Sequence, residues 1–194
     1  MNGDEPQRKK ALRAELRARR RTLTASERDT ATVAFTQHLT ELVNALGATT
    51  IAAFLPSNDE PDIRPFLDWA SDTGIHTLTP VSREDGLLDW VADSGDETVG
   101  DLGVPEPVGD LLGPMAVDDV DLMLIPAAAV DRAGMRLGWG RGYFDRLIGS
   151  MEDPPPIYAV IFETELLEAV PTELHDKPVD GVITPAGITT FEPV

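Results

Sequence analysis

An α/β fold with a mainly parallel sheet is predicted for this chain by three features. Short apolar runs recur at 50–55, 75–81, 122–126, 157–162 and 181–184; capped or amphipathic helical stretches stand between several of them; and Gly, Pro and Asp fall where one element must give way to the next. At 194 residues and 42% hydrophobic content, the chain suits one domain, 1–194, with a sizeable core. No internal repeat at solenoid spacing is present.

Taken in order, residues 7–21 form a short basic helix with Leu12 and Leu16 on one face and Lys9, Arg13 and Arg17 at i, i+4 and i+8 on another. Those three cations can converge, although an arginine-rich face taken alone also reads as solvated. Thr24-Ala-Ser-Glu27 is a capping-box pattern that opens a second helix, with Val33, Phe35, Leu39, Leu42, Val43 and Leu46 as its apolar positions and Gly47 as its end. A buried strand over 50–55 leads into a polar loop through Glu60 and a helix over 63–72 closed by Gly74. Strand 75–81 and a short, edge-like strand over 86–91 follow. The Gly-, Pro- and Asp-rich stretch 93–119 has weak periodicity and reads as a long surface excursion. Strands 122–126, 157–162 and 181–184 then alternate with helical stretches 143–150 and 163–168. In such sheets ligands bind beyond the carboxyl ends of the strands, and the loops 56–60 and 127–142 and the region near His175 all follow strands.

Composition narrows the function. The absence of cysteine excludes disulfides, thiolate-bound zinc or iron–sulfur clusters, and a cysteine nucleophile. The basic N-terminal stretch lacks the apolar core of a signal peptide, and no apolar run approaches the ~20 residues that span a bilayer, so a cytoplasmic protein without membrane contact is expected. A formal net charge of −18 argues against nucleic acid and anionic membranes as partners. The charge is nonetheless uneven: nine of the sixteen Lys and Arg residues lie in the first 28 positions, so a small anionic ligand can be drawn to a basic site on an acidic body. No serine nucleophile elbow is present. His38 and His76 have no metal-ligand partner at sensible spacing, and His175 reads as either a proton shuttle or a structural histidine.

The most informative stretch is Asp131-Arg-Ala-Gly-Met-Arg-Leu-Gly-Trp-Gly-Arg-Gly-Tyr-Phe-Asp-Arg146. Gly138, Gly140 and Gly142 permit positive φ and close approach of backbone to a ligand, while Arg136, Arg141 and Arg146 supply charge that matches phosphate oxygens. Gly138-Trp-Gly-Arg-Gly142 is not the G-x-G-x-x-G dinucleotide fingerprint, and the chain has no Walker loop. From residue types alone, a phosphate loop and a glycine-rich strand-to-helix turn remain equally open.

This segment resembles the signature of the 5-formyltetrahydrofolate cyclo-ligases, also called methenyltetrahydrofolate synthetases, whose motif runs approximately P-G-L-A-F-D-x-x-G-x-R-L-G-x-G-x-G-Y-Y-D-R. The likeness extends to Lys9-Lys-Ala-Leu-Arg13, to Phe54-Leu-Pro-Ser-Asn-Asp-Glu60 and to Val170-Pro-Thr-Glu-Leu-His-Asp-Lys-Pro-Val-Asp180, four weak motifs in the family's order. The resemblance implies a single-domain, Rossmann-like (NagB/RpiA/CoA-transferase-like) α/β fold and a monomer. It also implies ATP-dependent cyclisation of 5-formyltetrahydrofolate to 5,10-methenyltetrahydrofolate with release of ADP and phosphate. It assigns ATP to Lys9, Arg13, Arg136, Leu137, Gly138, Trp139, Gly140, Arg141, Gly142, Tyr143 and Phe144. Folate falls to Leu55, Glu60 and the loop Trp139, Gly140, Arg141, Gly142 and Tyr143, Mg2+ to Asp145 and Asp176, and catalysis to Arg136, Arg141, Tyr143 and Asp145. On local grounds alone, Asp145 also reads as a first-turn helix carboxylate, Asp176 as a turn residue beside Pro178, and Glu60 as a solvated loop charge. The chain departs from the motif at Val130, Trp139, Arg141 and Phe144; Arg141 is the expected replacement for charge missing at 139. The departures leave room for a paralogue that binds nucleotide or folate without this activity, or for a non-enzymatic regulator.

Overall fold

The computed structural model describes residues 5–100, 103–173 and 176–192. Helix α1 (Glu5–Thr22) turns one narrow face inward, burying Lys9, Leu16 and Arg20, so charged side chains rather than an apolar stripe anchor it. Helix α2 (Ala25–Leu46) starts as its sequence predicts. The Glu27 N–H donates to Thr24 Oγ1 and the Thr24 N–H donates to the Glu27 carboxylate, while Gly47 at φ 64° ends the helix. Ala31, Phe35, Leu39, Leu42 and Val43 form its buried row. Val33, expected on that row, lies off it by helical geometry and is 70% exposed, whereas Leu46 continues the row but stands at the helix's last residue and is 44% exposed.

Strand β1 (Thr50–Ala52) is shorter than the apolar run suggests. Its pairing with β2 closes with the Ala53 N–H donating to Leu78 O, and Ala53, Phe54 and Leu55 continue as buried loop ahead of Pro56, which has no N–H to offer a ladder. Helix α3 (Arg64–Asp72) has Pro65 in its first turn, where a missing N–H costs nothing. Strand β2 (His76–Ser82) pairs antiparallel with β3 (Leu88–Ala92), which forms one edge of the sheet as expected. The 93–119 excursion carries more order than its composition shows. It contains the hairpin β4 (Glu97–Val99) and β5 (Pro105–Pro107), a 3-10 turn over Pro114–Val117, and a bridge from Leu112 to Trp90.

Strand β6 (Leu122–Pro126) leads into a small side sheet made by β7 (Ala129–Asp131) and β8 (Arg136–Leu137), and from there into α4 (Tyr143–Ser150). Strand β9 (Ile157–Val160) follows. The expected helix over 163–168 is instead one 3-10 turn, Glu163–Glu165, and then β10 (Leu166–Leu167), because Leu166 and Leu167 pair with Val130 and Asp131. Strand β11 (Gly181–Thr184) turns through Gly187 into β12 (Gly187–Thr190), an antiparallel edge that the sequence reading omitted.

The seven-stranded sheet runs β12-β11-β9-β6-β1-β2-β3, parallel from β11 through β2 and antiparallel at both edges. Strands β6, β9 and β11 are buried on nearly every residue because both faces are covered. On one face α2 and α3 pack over Phe35, Leu39, Ile51, Phe66 and Leu124; on the other, α4 and the 114–117 turn pack over Trp90, Met123, Ile125 and Ile148. Helix α1 lies across the end of the sheet, on Ala128, Ala129, Leu137 and Val170. The chain passes from β1 to β2 on one side, and β6 then takes the other side of β1. The loops leaving β1 and β6 therefore diverge, which opens a crevice at the strands' carboxyl ends.

Candidate active site

Three loops meet at that crevice. One follows β1 (56–60), one follows β6 (127–142), and one follows β9 (161–173). Arg20 holds them together. Its guanidinium, 1% exposed, makes a two-pronged pair with Glu165 at 2.6 and 2.8 Å and donates to Ala127 O at 2.8 Å and Asp59 O at 3.4 Å. Glu165 in turn accepts from the Phe162 N–H at 2.9 Å. Burial pushes the Glu165 carboxyl up from its ordinary value, against the opposing pull of Arg20. Neither residue stands out in the sequence. The usable signal is that Arg20 extends the Leu12–Leu16 row by one more turn, so a cation occupies the helix's buried face.

The glycine loop is shaped from both sides. Asp131, buried at the end of β7, accepts from the N–H groups of Ala133 and Met135 and from that of Val170, which tightens the turn containing Gly134 at φ 81°. Arg136 is 3% exposed; its Nη2 meets Asp145 Oδ1 at 2.6 Å, its Nη1 lies 3.4 Å from Pro126 O, and its Nε has no partner. A Cβ at Gly138 would fall 2.8 Å from Arg136 Nη1, so a side chain there would displace the guanidinium from its present place. Gly138 O accepts from Arg13 Nε at 2.7 Å, and Gly140, at φ 101°, lies under the same guanidinium. Burial lowers the Arg13 pKa, against the attraction of Asp176, Asp145 and Glu173, and Arg136 repels it. Both expected metal carboxylates therefore act on one arginine.

Lys9 lies one turn before Arg13 and is buried. Its Nζ bonds Asp176 at 2.6 Å and Glu173 at 2.7 Å; burial works against its charge, but these two carboxylates outweigh it and raise its pKa. Asp176 also accepts from the Glu173 N–H. Among the described residues no three acidic or His side chains gather as a metal site, and His175 lies outside them.

Other expected residues are placed differently from their simplest reading. Leu137 is fully buried beneath α1, which leaves only its backbone to face a ligand. Phe144 packs into the core under α4. Arg146 donates to Gly86 O and Arg141 O and lies 5.4 Å over the Tyr143 ring. The Tyr143 hydroxyl donates to Arg83 O at 3.0 Å, and its ring lines a cavity of about 570 Å³ with Leu87, Met115 and Leu147. Arg141 is exposed and does not stack on Trp139. The charge over that ring comes from α1, where the Arg17 and Arg20 guanidinium carbons stand 4.9 and 4.8 Å from its centroid. Leu55 is buried in the core, and Glu60 Oε2 accepts from the Ser57 N–H and hydroxyl at 2.8 and 2.9 Å. Glu60 also lines a cavity of about 240 Å³ with Arg28, Asn58, Arg64 and Phe162.

The model of the 5-formyltetrahydrofolate cyclo-ligase family matches residues 5–185. The chain is 32% identical over 186 residues to the 5-formyltetrahydrofolate cyclo-ligase of Mycolicibacterium smegmatis, covering 93% of this chain and 95% of the relative. It is 26% identical over 180 residues to that of Escherichia coli K12, covering 89% and 98%. Its fold is similar to the solved structure of Aquifex aeolicus 5,10-methenyltetrahydrofolate synthetase, with a TM-score of 0.80 at 25% identity over 96% of this chain and 94% of that one. The chain belongs to the 5-formyltetrahydrofolate cyclo-ligase family.

Proposed function

We propose that this chain converts 5-formyltetrahydrofolate and ATP into 5,10-methenyltetrahydrofolate, ADP and phosphate, with the whole reaction in one domain. Family membership supports the activity. One structural observation supports its location: cations of one helix, α1, bond Asp176, the glycine loop and the 56–60 loop beside the switch point of the sheet.

The chemistry explains why ATP is consumed. An N-formyl oxygen is amide-like and leaves poorly. Transfer of the γ-phosphoryl to it releases ADP and converts the oxygen into a phosphate ester on an electrophilic carbon. The 10-nitrogen attacks that carbon and gives up its proton to solvent, and the carbon–oxygen bond breaks to free phosphate. No protein nucleophile is needed, so the chain contributes position and charge.

In this reading Arg13 and the backbone of 138–142 hold the triphosphate, and Lys9 acts by fixing Asp176 and Glu173. Leu55 and the unengaged oxygen of Glu60 meet the pterin. Asp145 and Asp176 suit magnesium, which takes one or two carboxylates together with phosphate oxygens and waters; each is already oriented by a cation, Arg136 or Lys9. The ion would neutralise charge on the phosphoryl oxygens. Purified protein given 5-formyltetrahydrofolate, ATP and magnesium is expected to produce the methenyl chromophore, to stop on chelation and to resume on magnesium addition. Silence at saturating substrates would reassign the chain as a nucleotide or folate binder.

A further inference from the structure

We propose that Arg17, lying against Trp139, is a further binding residue of the active site and takes an oxyanion of one of the two substrates, where the glycine loop faces the 56–60 loop. The proposal rests on the reaction assigned above, and its first support is position. Arg17 is the third member of the Lys9, Arg13, Arg17 row, and helical spacing places it about 6 Å beyond Arg13 along the axis. Arg13 is tied to Gly138 O, and Arg20, nearly a turn further, reaches Asp59 O. Arg17 therefore stands between the loop assigned to the nucleotide and the loop assigned to folate.

The second support is its unused valence. Other exposed arginines of α1 meet a carboxylate: Arg8 pairs with Glu5, Arg19 with Glu15 and Arg21 with Asp59. Arg17 and Arg141 are the described arginines whose guanidinium groups make neither a hydrogen bond nor an ion pair, and both border the glycine loop. Acidic side chains outnumber basic ones 34 to 16 in this chain, so a guanidinium without a carboxylate at this point is a vacancy for a ligand's charge.

The third support is preorganisation. Stacking at 4.9 Å restrains a long side chain while leaving its N–H donors free, which reduces the ordering cost of binding an oxyanion. The indole can serve as this shelf because the buried, Glu165-paired Arg20 also lies over its ring at 4.8 Å. Its Nε1–H is buried without an acceptor and is a further donor beside the same loop. The oxyanion is either an ATP phosphate or a carboxylate of the folate's glutamyl portion.

The test compares Arg17→Gln with Arg19→Gln, a change of equal charge on the same helix away from the site. Arg17→Gln is expected to lower kcat/KM for one substrate about tenfold or more, with an unchanged denaturation midpoint, while Arg19→Gln matches the parent. Trp139→Leu, which removes both the shelf and the Nε1–H donor, is expected to lose at least as much, and the double variant to fall no further than Trp139→Leu. Calorimetric titration with a non-hydrolysable ATP analogue, and separately with mono- and triglutamyl 5-formyltetrahydrofolate, identifies the source. Weakening of the analogue alone assigns a phosphate, and weakening of folate alone a carboxylate. Parent-like kinetics and titrations for Arg17→Gln, or an equal loss in Arg19→Gln, would overturn the proposal. A parent protein that binds both ligands without cyclising them would instead sink the assigned reaction, and the titrations would still decide the role of Arg17.

Discussion

The two ends of the central sheet are held by different sets of side chains. At the ends where parallel strands begin, aspartates accept from backbone amides: Asp121 takes the N–H groups of Thr49 and Thr50 at 2.8 and 2.9 Å, and Asp180 takes that of Ile157 at 2.7 Å. Beyond the ends where they finish, arginines donate to carbonyls of the strand ends and the loops that follow: Arg20 to Ala127 O and Asp59 O, Arg64 to Pro56 O, Arg136 to Pro126 O and Arg13 to Gly138 O, while the N–H groups of Phe162 and Ser57 find Glu165 and Glu60. Backbone groups beyond a strand end have lost their ladder partners, and those that are buried need others. A chain of net charge −18 thereby gathers arginines at the end of the sheet where anionic substrates are expected, although Arg20, Arg64 and Arg136 are each paired with a carboxylate.

The strongest challenge to this contrast is Arg20→Ala. Removing the cation strands the buried Glu165 carboxyl and frees three loops, and is expected to cost about 3–5 kcal/mol, read from denaturant midpoints. Glu165→Gln with Arg20 intact should cost less, since an amide oxygen still accepts one bond; an Arg20→Ala midpoint equal to the parent's would leave the crevice without its central tie.

Asp145→Ala comes next. It removes the partner of a buried Arg136 and one proposed magnesium ligand, so turnover is expected to fall at least about 100-fold. Near-parental, magnesium-dependent turnover in a folded variant would strip Asp145 of that role. Arg13→Ala should raise the ATP KM about tenfold with a smaller change in kcat, because a charge-assisted contact to phosphate is worth about 1.5–3 kcal/mol and exposure reduces it. An unaltered ATP titration would leave Arg13 as a brace for Gly138 O alone.

The smallest effect belongs to the opposite end. Asp121→Asn is expected to leave turnover unchanged and to lower stability by about 1 kcal/mol at neutral pH. The amides of Thr49 and Thr50 hold the Asp121 carboxyl below its usual range. Its contribution is therefore present above the unfolded carboxyl value, near ~4, and is lost as pH falls through the lower folded value. The gap between parent and variant should close in acid; a gap that persists or widens there would separate Asp121 from the strand-end role.

Much of this architecture was legible beforehand because its signals are local. The Thr24–Glu27 capping box, the Gly47 terminator, the all-apolar 122–126 run and the glycine loop each depend on residues within one turn or strand. The misreadings share one cause. Leu166–Leu167 is a strand because of Val130–Asp131, β12 exists because β11 has an open edge, and the 93–119 stretch gains its order from pairing across loops. Arg20 and Glu165, 145 positions apart, look like any surface charges until the fold buries them against each other.

The sequence by itself determined the α/β alternation, the glycine loop with its arginines and the family's four motifs, since these are matters of backbone propensity and residue type over short spans. The tertiary structure alone decided which cations are committed and which are free. That choice depends on distances between segments far apart in the chain, and it placed Arg136, Arg20 and Lys9 in buried pairs while leaving Arg17 stacked and unpaired beside the crevice.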